Sequence, residues 1–342
     1  FNDQEPDYQL KNAIISAKLA EAENILQRLA LDNIPFTFER FDKMFVKQPK
    51  RNSIISFFDA EIKRLDAANR FGYAIPYKVT RDHLVNFHGS DRLQFDQVNY
   101  QFLVNFEAYL MSRTIGKKKN RPIEKTTIHN YMRVIRTVYN SAIKAGVCEE
   151  REYPFYSRVN MKGYSLAHLK HESHKRAILI EQVRKLKDYK LFPVSSIYDY
   201  RNYWLFMYYC RGMNFADVAD LEWSDIKEGR LTYNRNKNNR SYNLLLIPEA
   251  LEILAYYKGK GIGNYVFPIH KSLYNTEDRY MATKNFLKNM NAAMNRLAKR
   301  LGIDANLTTY VARHSWATGL KNRGYSIAVI SEGLGHNSEK TT

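Results

Sequence analysis

The run Arg313-His314-Ser315-Trp316-Ala317-Thr318, with Tyr310 just ahead of it and Gly333-Leu334-Gly335-His336 some way behind, gathers a guanidinium, two imidazoles and a phenol. Two earlier segments carry groups of the same kind. One begins Arg211-Gly212-Met213-Asn214 and continues through Asp217 to Leu221 and Trp223; the other is Arg235-Asn236-Lys237-Asn238-Asn239-Arg240. Guanidinium, ammonium and imidazolium groups hold anions, and the planar fork of arginine matches the oxygens of carboxylates and phosphates. Each segment alone has an ordinary reading: an arginine on a helix surface, a histidine packing at a helix end, a solvated lysine in a turn. Their order and spacing give them joint meaning.

The elements that must position these groups are mainly helices. Apolar residues recur at helical spacing from Tyr8 to about Ala30 (Leu10, Ile14, Ala17, Ala22, Ile25, Leu29), ahead of a short aromatic segment, Phe36 to Phe41. Several helical stretches follow between Ser53 and about Ala145. In the last of them Thr126 and Thr127 are placed to cap the helix, and Ile128, Tyr131, Ile135, Val138, Tyr139 and Ala142 share one face. The opposite face carries His129, Arg133 and Arg136. Directly before it lies the basic loop Lys117-Lys118-Lys119-Asn120-Arg121-Pro122, with Lys125 and Thr126 beyond. Loop and helix face carry the same sign side by side, which favours contact with a DNA backbone over a merely solvated charge run.

From Arg151 to Lys175 the period is lost and the chain turns polar, as a linker between domains does. His168, His171 and His174 stand three apart within it, but no acidic or thiolate ligand is placed to complete a metal shell, so no metal is expected. The second half resumes at Ala177-Ile178-Leu179-Ile180 with an amphipathic helix, then an aromatic helix over Tyr203 to Tyr209. A hairpin follows (Gly229 to Asn234, the turn 235–240, Ser241 to Pro248), then further helices. The fold class expected is mainly α with a small antiparallel β-sheet.

Composition narrows the partner. Against 35 Asp+Glu stand 53 Lys+Arg, a net charge of +18 over 342 residues, which concentrates polyanions and drives counterion release from a phosphate backbone. Nucleic acid is therefore the first partner to consider. Cys148 and Cys210 form neither a C-x-x-C pair nor a disulfide framework, which fits a reducing cytoplasm. No apolar run approaches a membrane span, and the opening residues lack the order of a signal peptide. The absence of an initial methionine leads us to expect a further N-terminal portion.

Taken together, the segments resemble the catalytic domain of the tyrosine recombinase (phage integrase) family. That family shows G-[LM]-R-x-x-[ED]-x-x-x-L-x-W, a hairpin lysine, H-x-x-R-H-[ST], L-G-H, and finally T-T-x-x-Y. The R-G-M-N-F phrasing and the aromatic helices look most like integrases of conjugative or mobilisable elements from Bacteroides-type bacteria. The resemblance implies a helical core-site-binding domain plus a mixed α/β catalytic domain. It divides the chain into a leading helix and connection from an arm-binding region (1–50), a core-site DNA-binding domain (51–158), a linker (159–176) and a catalytic domain (177–342). It also implies a bacterial cytoplasmic enzyme on double-stranded DNA attachment sites, monomeric when free and a homo-tetramer on DNA, with accessory DNA-bending proteins and no membrane.

The chemistry implied is phosphoryl transfer with no cofactor: a tyrosine oxygen attacks a DNA phosphate, leaving a 3′-phosphotyrosine and a free 5′-hydroxyl. Negative charge on the non-bridging oxygens calls for guanidinium donors, and the departing oxygen for a general acid. By position Arg313 matches the family's second catalytic arginine, Lys237 the general acid and His336 a donor to the scissile phosphate. His314 and Asp217 match supporting positions. Two positions depart from the pattern. Tyr310 stands where the family has histidine, and a phenol donates a hydrogen bond but carries no positive charge. Asn214 stands where the first catalytic arginine belongs. A replacement guanidinium is expected, with Arg211 at the same turn preferred, Arg235 competing and Arg240 third. The T-T-x-x-Y register puts Thr341 and Thr342 in phase and the nucleophilic tyrosine three residues beyond Thr342. Two other readings share some of these features: a DNA-binding relative that has lost catalysis, and a type IB topoisomerase.

Overall fold

A computed structural model describes residues 7–45, 53–115, 121–170, 177–236, 239–270, 276–335 and 339. The chain forms two compact units, residues 1–171 and 172–342. In the first, α1 (Tyr8–Leu31) and α2 (Phe38–Phe45) lead into four helices, α3 (Ile54–Ala67), α4 (Phe71–His88), α5 (Tyr100–Ser112) and α6 (Lys125–Lys144). Side-chain caps start two of them: Ser53 Oγ accepts from the Ser56 N–H, and Asn99 Oδ1 from that of Phe102. The expected threonine cap on α6 is not the one formed. The helix starts at Lys125 with Glu124 as the flanking residue, and no side chain caps it.

The apolar stripe of α6 packs against α3, α4 and α5. Ile128, Met132, Ile135, Val138, Tyr139 and Ala142 are fully buried, with Tyr131 half-buried beside them. Tyr139 donates from its hydroxyl to the carbonyl of Phe95, 2.5 Å away, which removes the cost of burying a phenol. Two short strands, β1 (Thr114–Ile115) and β2 (Arg121–Pro122), pair antiparallel between α5 and α6.

One expectation is corrected here. The stretch read as a linker from 159 is part of the first unit's core as far as Leu169. Phe155, Tyr164, Leu166 and Leu169 are buried in the same cluster as α3 to α6, and Phe155 bridges to Tyr164. Tyr164 donates to the Glu107 carboxylate, and His168 Nε2 lies 3.0 Å from both of its oxygens. Four apolar residues at irregular spacing among charged ones leave no period to detect, yet all four are buried in the bundle's core.

The second unit is built around α8 (Ser196–Tyr209), which follows α7 (Ile180–Asp188) and is buried on nearly every side from Tyr203 to Met207. A helix apolar all round belongs in the middle of a domain. Around it pack α7, α10 (Pro248–Tyr257), α11 (Thr276–Arg300) and α12 (Thr309–Asn322), with α9 (Phe215–Ala219) at its C-terminal end and α13 (Ile327–Leu334) on α12. The strands β3 (Ile226–Lys227), β4 (Arg230–Asn234) and β5 (Ser241–Leu245) form one antiparallel sheet in that order, with Tyr233 opposite Tyr242 and Asn234 opposite Ser241. The molecule is thus mainly α with a small antiparallel sheet. Trp204 anchors α8 to the start of α12 by donating from Nε1 to the carbonyl of Thr308, 3.0 Å away.

Candidate active site

The site forms where the end of α8, the hairpin β4–β5 and the helices α12 and α13 come together. After Tyr209 the chain turns through two left-handed residues, Arg211 (φ 57°) and Gly212 (φ 69°), and the N–H of Gly212 closes back on the carbonyl of Met207 at 2.9 Å. A Cβ on Gly212 would sit 2.6 Å from the Cα of Arg313. Only glycine suits the position, both for its backbone angle and for the approach of α12.

That approach places Arg313, 6% exposed, against two carbonyls. One guanidinium nitrogen donates to the carbonyl of Gly212 at 2.9 Å, and the other to that of Leu334. The same Leu334 carbonyl accepts from the hydroxyl of Tyr242, 3.0 Å away. Gly335 is left-handed (φ 63°), with Tyr242 occupying the space a side chain would need. The glycines of the two motifs therefore let one arginine lock the end of α8 to the end of α13. Burial pulls the Arg313 guanidinium down from its ordinary value, and the charge of Arg235 adds to the effect.

Arg235 leaves the hairpin just after β4, and the turn is closed by Arg235 N–H to Arg240 O (2.9 Å) and Asn239 N–H to Arg235 O (2.8 Å). Nε and one Nη of Arg235 each lie 2.9 Å from one end of the Asn214 amide, and assigning the amide oxygen to that end gives both donors an acceptor. The residue at the expected arginine position thus meets a guanidinium from the hairpin. Asp217, one turn into α9 and 5% exposed, accepts from the backbone N–H of Asn236 at 2.9 Å. Burial pushes its carboxyl above the usual range, although the Asn236 N–H and the charge of Arg235 oppose the shift.

Arg211, at the same turn as Asn214, lies elsewhere. It is exposed and lines a cavity of about 550 Å³ with Tyr208, Tyr209, Trp316 and Arg323 among its neighbours. Tyr310 is 52% exposed on the first turn of α12, and its ring meets that of His314 edge-on, 4.6 Å between centroids. Lys237 and His336 lie outside the described residues, as do Lys117, Lys118 and Lys119.

In the first unit, Arg121, Lys125, Thr126 and Arg133 are exposed and His129 and Arg136 half-buried. Arg121 is paired with Glu124 at 3.0 Å. Burial pulls His129 below the ordinary histidine range, and Arg133, Arg136 and Lys170 then lower it further by like charge. The structure thus adds Lys170, which no helical periodicity links to α6. Among the described residues no group of three or more His, Cys, Asp or Glu side chains is arranged to hold a metal ion, and no helix is long and apolar enough to cross a membrane.

Two family models match the chain: the phage integrase SAM-like domain over residues 53–159 and the phage integrase family over residues 180–342. Transposase A from transposon Tn554 of Staphylococcus aureus is 21% identical over 343 residues, spanning 93% of this chain and 92% of that protein. Tyrosine recombinase XerC of Pediococcus pentosaceus is 24% identical over 241 residues, 65% of this chain and 71% of that protein. A lambda integrase dimer bound to a COC' core site matches with a TM-score of 0.57 at 14% identity, over 84% of this chain and 96% of that one. The Tn1549 transposon integrase in complex with a circular intermediate DNA gives 0.55 at 12% identity, over 85% and 93%. At these identities the structural likeness establishes the fold.

Proposed function

We propose that this chain, which belongs to the phage integrase family of tyrosine recombinases, holds the scissile DNA phosphate between Arg313 and Arg235. It is a site-specific recombinase of a mobile element, an enzyme that cuts and rejoins DNA. A tyrosine oxygen attacks phosphorus, the bond to the 5′ oxygen breaks, and the phosphate stays on the protein as a 3′-phosphotyrosine. Attack by a 5′-hydroxyl reverses the step, so joining needs no further energy source. Charge builds on the two non-bridging oxygens, and fixed guanidinium donors stabilise it without reorganising.

The observation that carries this assignment is the 2.9 Å approach of the Arg235 guanidinium to the Asn214 amide, with a buried Arg313 that feels the charge of Arg235. Guanidiniums that feel each other's charge are relieved when an anion arrives, as a phosphate site requires. Arg211 has no comparable support, because it borders a cavity with Tyr208 and Trp316 instead. In this reading Lys237 protonates the departing 5′ oxygen, His336 and Tyr310 donate to the phosphate, and Asp217 and His314 act through the residues they hold. The first unit, with residues 51–158, grips the core site through α6. The enzyme is monomeric when free, assembles as four copies on paired attachment sites in a bacterial cytoplasm, and takes accessory DNA-bending proteins. The R-G-M-N-F turn supports an element of the conjugative or mobilisable kind from Bacteroides-type hosts.

The test is a nicked suicide substrate carrying the element's attachment core, incubated with the full-length protein. A covalent adduct is expected in the parent, with formation about 10²-fold slower in Arg235→Ala and unchanged in Arg211→Ala. The reverse order for the two variants would return the role to Arg211. Tight binding without an adduct in the parent would point to a relative that binds DNA but does not cut it.

A further inference from the structure

Asn236 sits between Arg235 and Lys237 in the chain, and it is held at both ends. Its backbone N–H donates to Asp217, and its side-chain amide donates to Asp220 Oδ2 at 3.0 Å. Asp217 and Asp220 are three residues apart, so the same side of α9 and its C-terminal cap faces the hairpin with two carboxylates. The family pattern provides for the first of these. Nothing in it provides for the second.

Asp220 is itself held from behind. Its other oxygen, Oδ1, lies 3.0 Å from Nε2 of His270 and 3.7 Å from Nε of Arg279 on α11. Arg279 in turn donates from an Nη to the hydroxyl of Tyr265 at 2.8 Å, and the Tyr265 ring meets the His270 ring at 5.1 Å. His270 is 2% exposed, and its Nδ1 is buried without a hydrogen-bond partner among the described residues. A carboxylate only accepts, so Nε2 carries the proton in the pair with Asp220. Burial works against the Asp220 charge, but the His270 hydrogen bond and the Arg279 charge outweigh it and keep the carboxyl below its usual range.

The hairpin needs such an anchor because the turn from 235 to 240 is six residues long and begins at an exposed strand end. A turn of that length has many conformations, each placing a long side chain differently. We propose that Asp220, oriented by the buried His270, is a positioning residue of the recombination site: through Asn236 it fixes the root of the β4–β5 turn, and with it the reach of Arg235 into the place beside Arg313. This rests on the reading of Arg235 given above. It assigns Asn236, Asp220 and His270 to the rate of strand cleavage and leaves DNA affinity to other residues.

The test uses the full-length protein on the nicked substrate, with single-turnover adduct formation and half-site affinity measured separately. Asn236→Ala removes an exposed side chain and leaves both neighbouring cations in place. We expect adduct formation to slow about 10- to 100-fold, the range for a displacement of about 1 Å at a reacting centre, with affinity within about twofold of the parent. His270→Ala is expected to slow cleavage similarly, and His270→Gln to recover most of the rate, because the amide can still donate to Asp220. The double variant Arg235→Ala with Asn236→Ala should be no slower than Arg235→Ala alone. If Arg235→Ala is slow while Asn236→Ala and His270→Ala cleave at the parent rate, the positioning role is wrong and the Arg235 reading stands. If Arg235→Ala cleaves normally, the Arg235 reading fails and this inference falls with it. Equal losses in His270→Ala and His270→Gln, tracking a loss of thermal stability, would mark the network as purely structural.

Discussion

The cations of α6 and those of the hairpin site are the same chemical groups held in opposite ways. On α6, Arg133 is exposed and Arg136 half-buried. On the reading proposed above, such side chains reach a phosphate backbone by bending, and one can cover for another. Arg313 is buried, fixed to two backbone carbonyls and within the field of the Arg235 charge. Gly212 lets α12 come close, and Gly335 leaves the space that Tyr242 takes. On the proposed reading, the difference separates charge used for affinity, which works when loosely held, from charge used on a transition state, which works only when fixed.

The strongest challenge to that contrast is Arg313→Lys. The substitution keeps the charge but removes the fork that joins Gly212 to Leu334, and adduct formation is expected to fall about 10²- to 10³-fold. If single-turnover cleavage is preserved, charge alone suffices and the contrast fails. Next in size is Gly212→Ala, which puts a Cβ against the α12 backbone at a left-handed position. Unfolding in urea should show a loss of about 1–3 kcal/mol, and the adduct rate should drop with it because the turn carries Asn214.

On the other side of the comparison, Arg133→Ala with Arg136→Ala should weaken core-site binding and leave cleavage at saturating DNA unchanged. A titration against salt would show the slope of log affinity reduced by about 0.9 for each phosphate that is no longer neutralised. A slower adduct step at saturation would mean that α6 helps to position the substrate.

The smallest effect sharpens the same face. His129 is held below its ordinary pKa by burial and then by three neighbouring cations. A bound phosphate offsets those cations and raises the pKa, so DNA binding takes up a proton and affinity should increase as pH falls through the histidine range. In the free protein the lowered value means the opposite: His129 costs stability as pH falls through that range. His129→Ala should flatten the pH dependence of binding measured by anisotropy, and an unchanged profile would remove His129 from the interface.

Much of this was legible in the residues themselves. The apolar period of α6 is nearly the buried set found: it lacks Met132 and includes Tyr131, which is half-buried. The turn 235–240 was readable because strand-forming runs flank a polar six-residue segment, and the fold class followed from counting such elements. Local patterns of this kind survive folding because each depends on neighbours within a few residues. The stretch from Phe155 to Leu169 shows the limit, since its core residues obey no period and are defined only by the cluster they enter.

The family, the order of the motif segments and the position of Arg313 all follow from residue types at fixed spacing, and so could be read without coordinates. The same reading exposed the gap at Asn214 and left Arg211 and Arg235 as candidates for it. Counting favoured Arg211, three residues from Asn214, over Arg235, twenty-one away. In three dimensions the left-handed backbone at Arg211 leaves its side chain in a separate cavity, while the β4–β5 pairing brings Arg235 onto the amide of Asn214. The tie from Asn236 to Asp220 and on to His270 spans parts of the chain up to fifty residues apart. Side-chain direction and long-range approach are set by packing, and packing exists only in the folded chain.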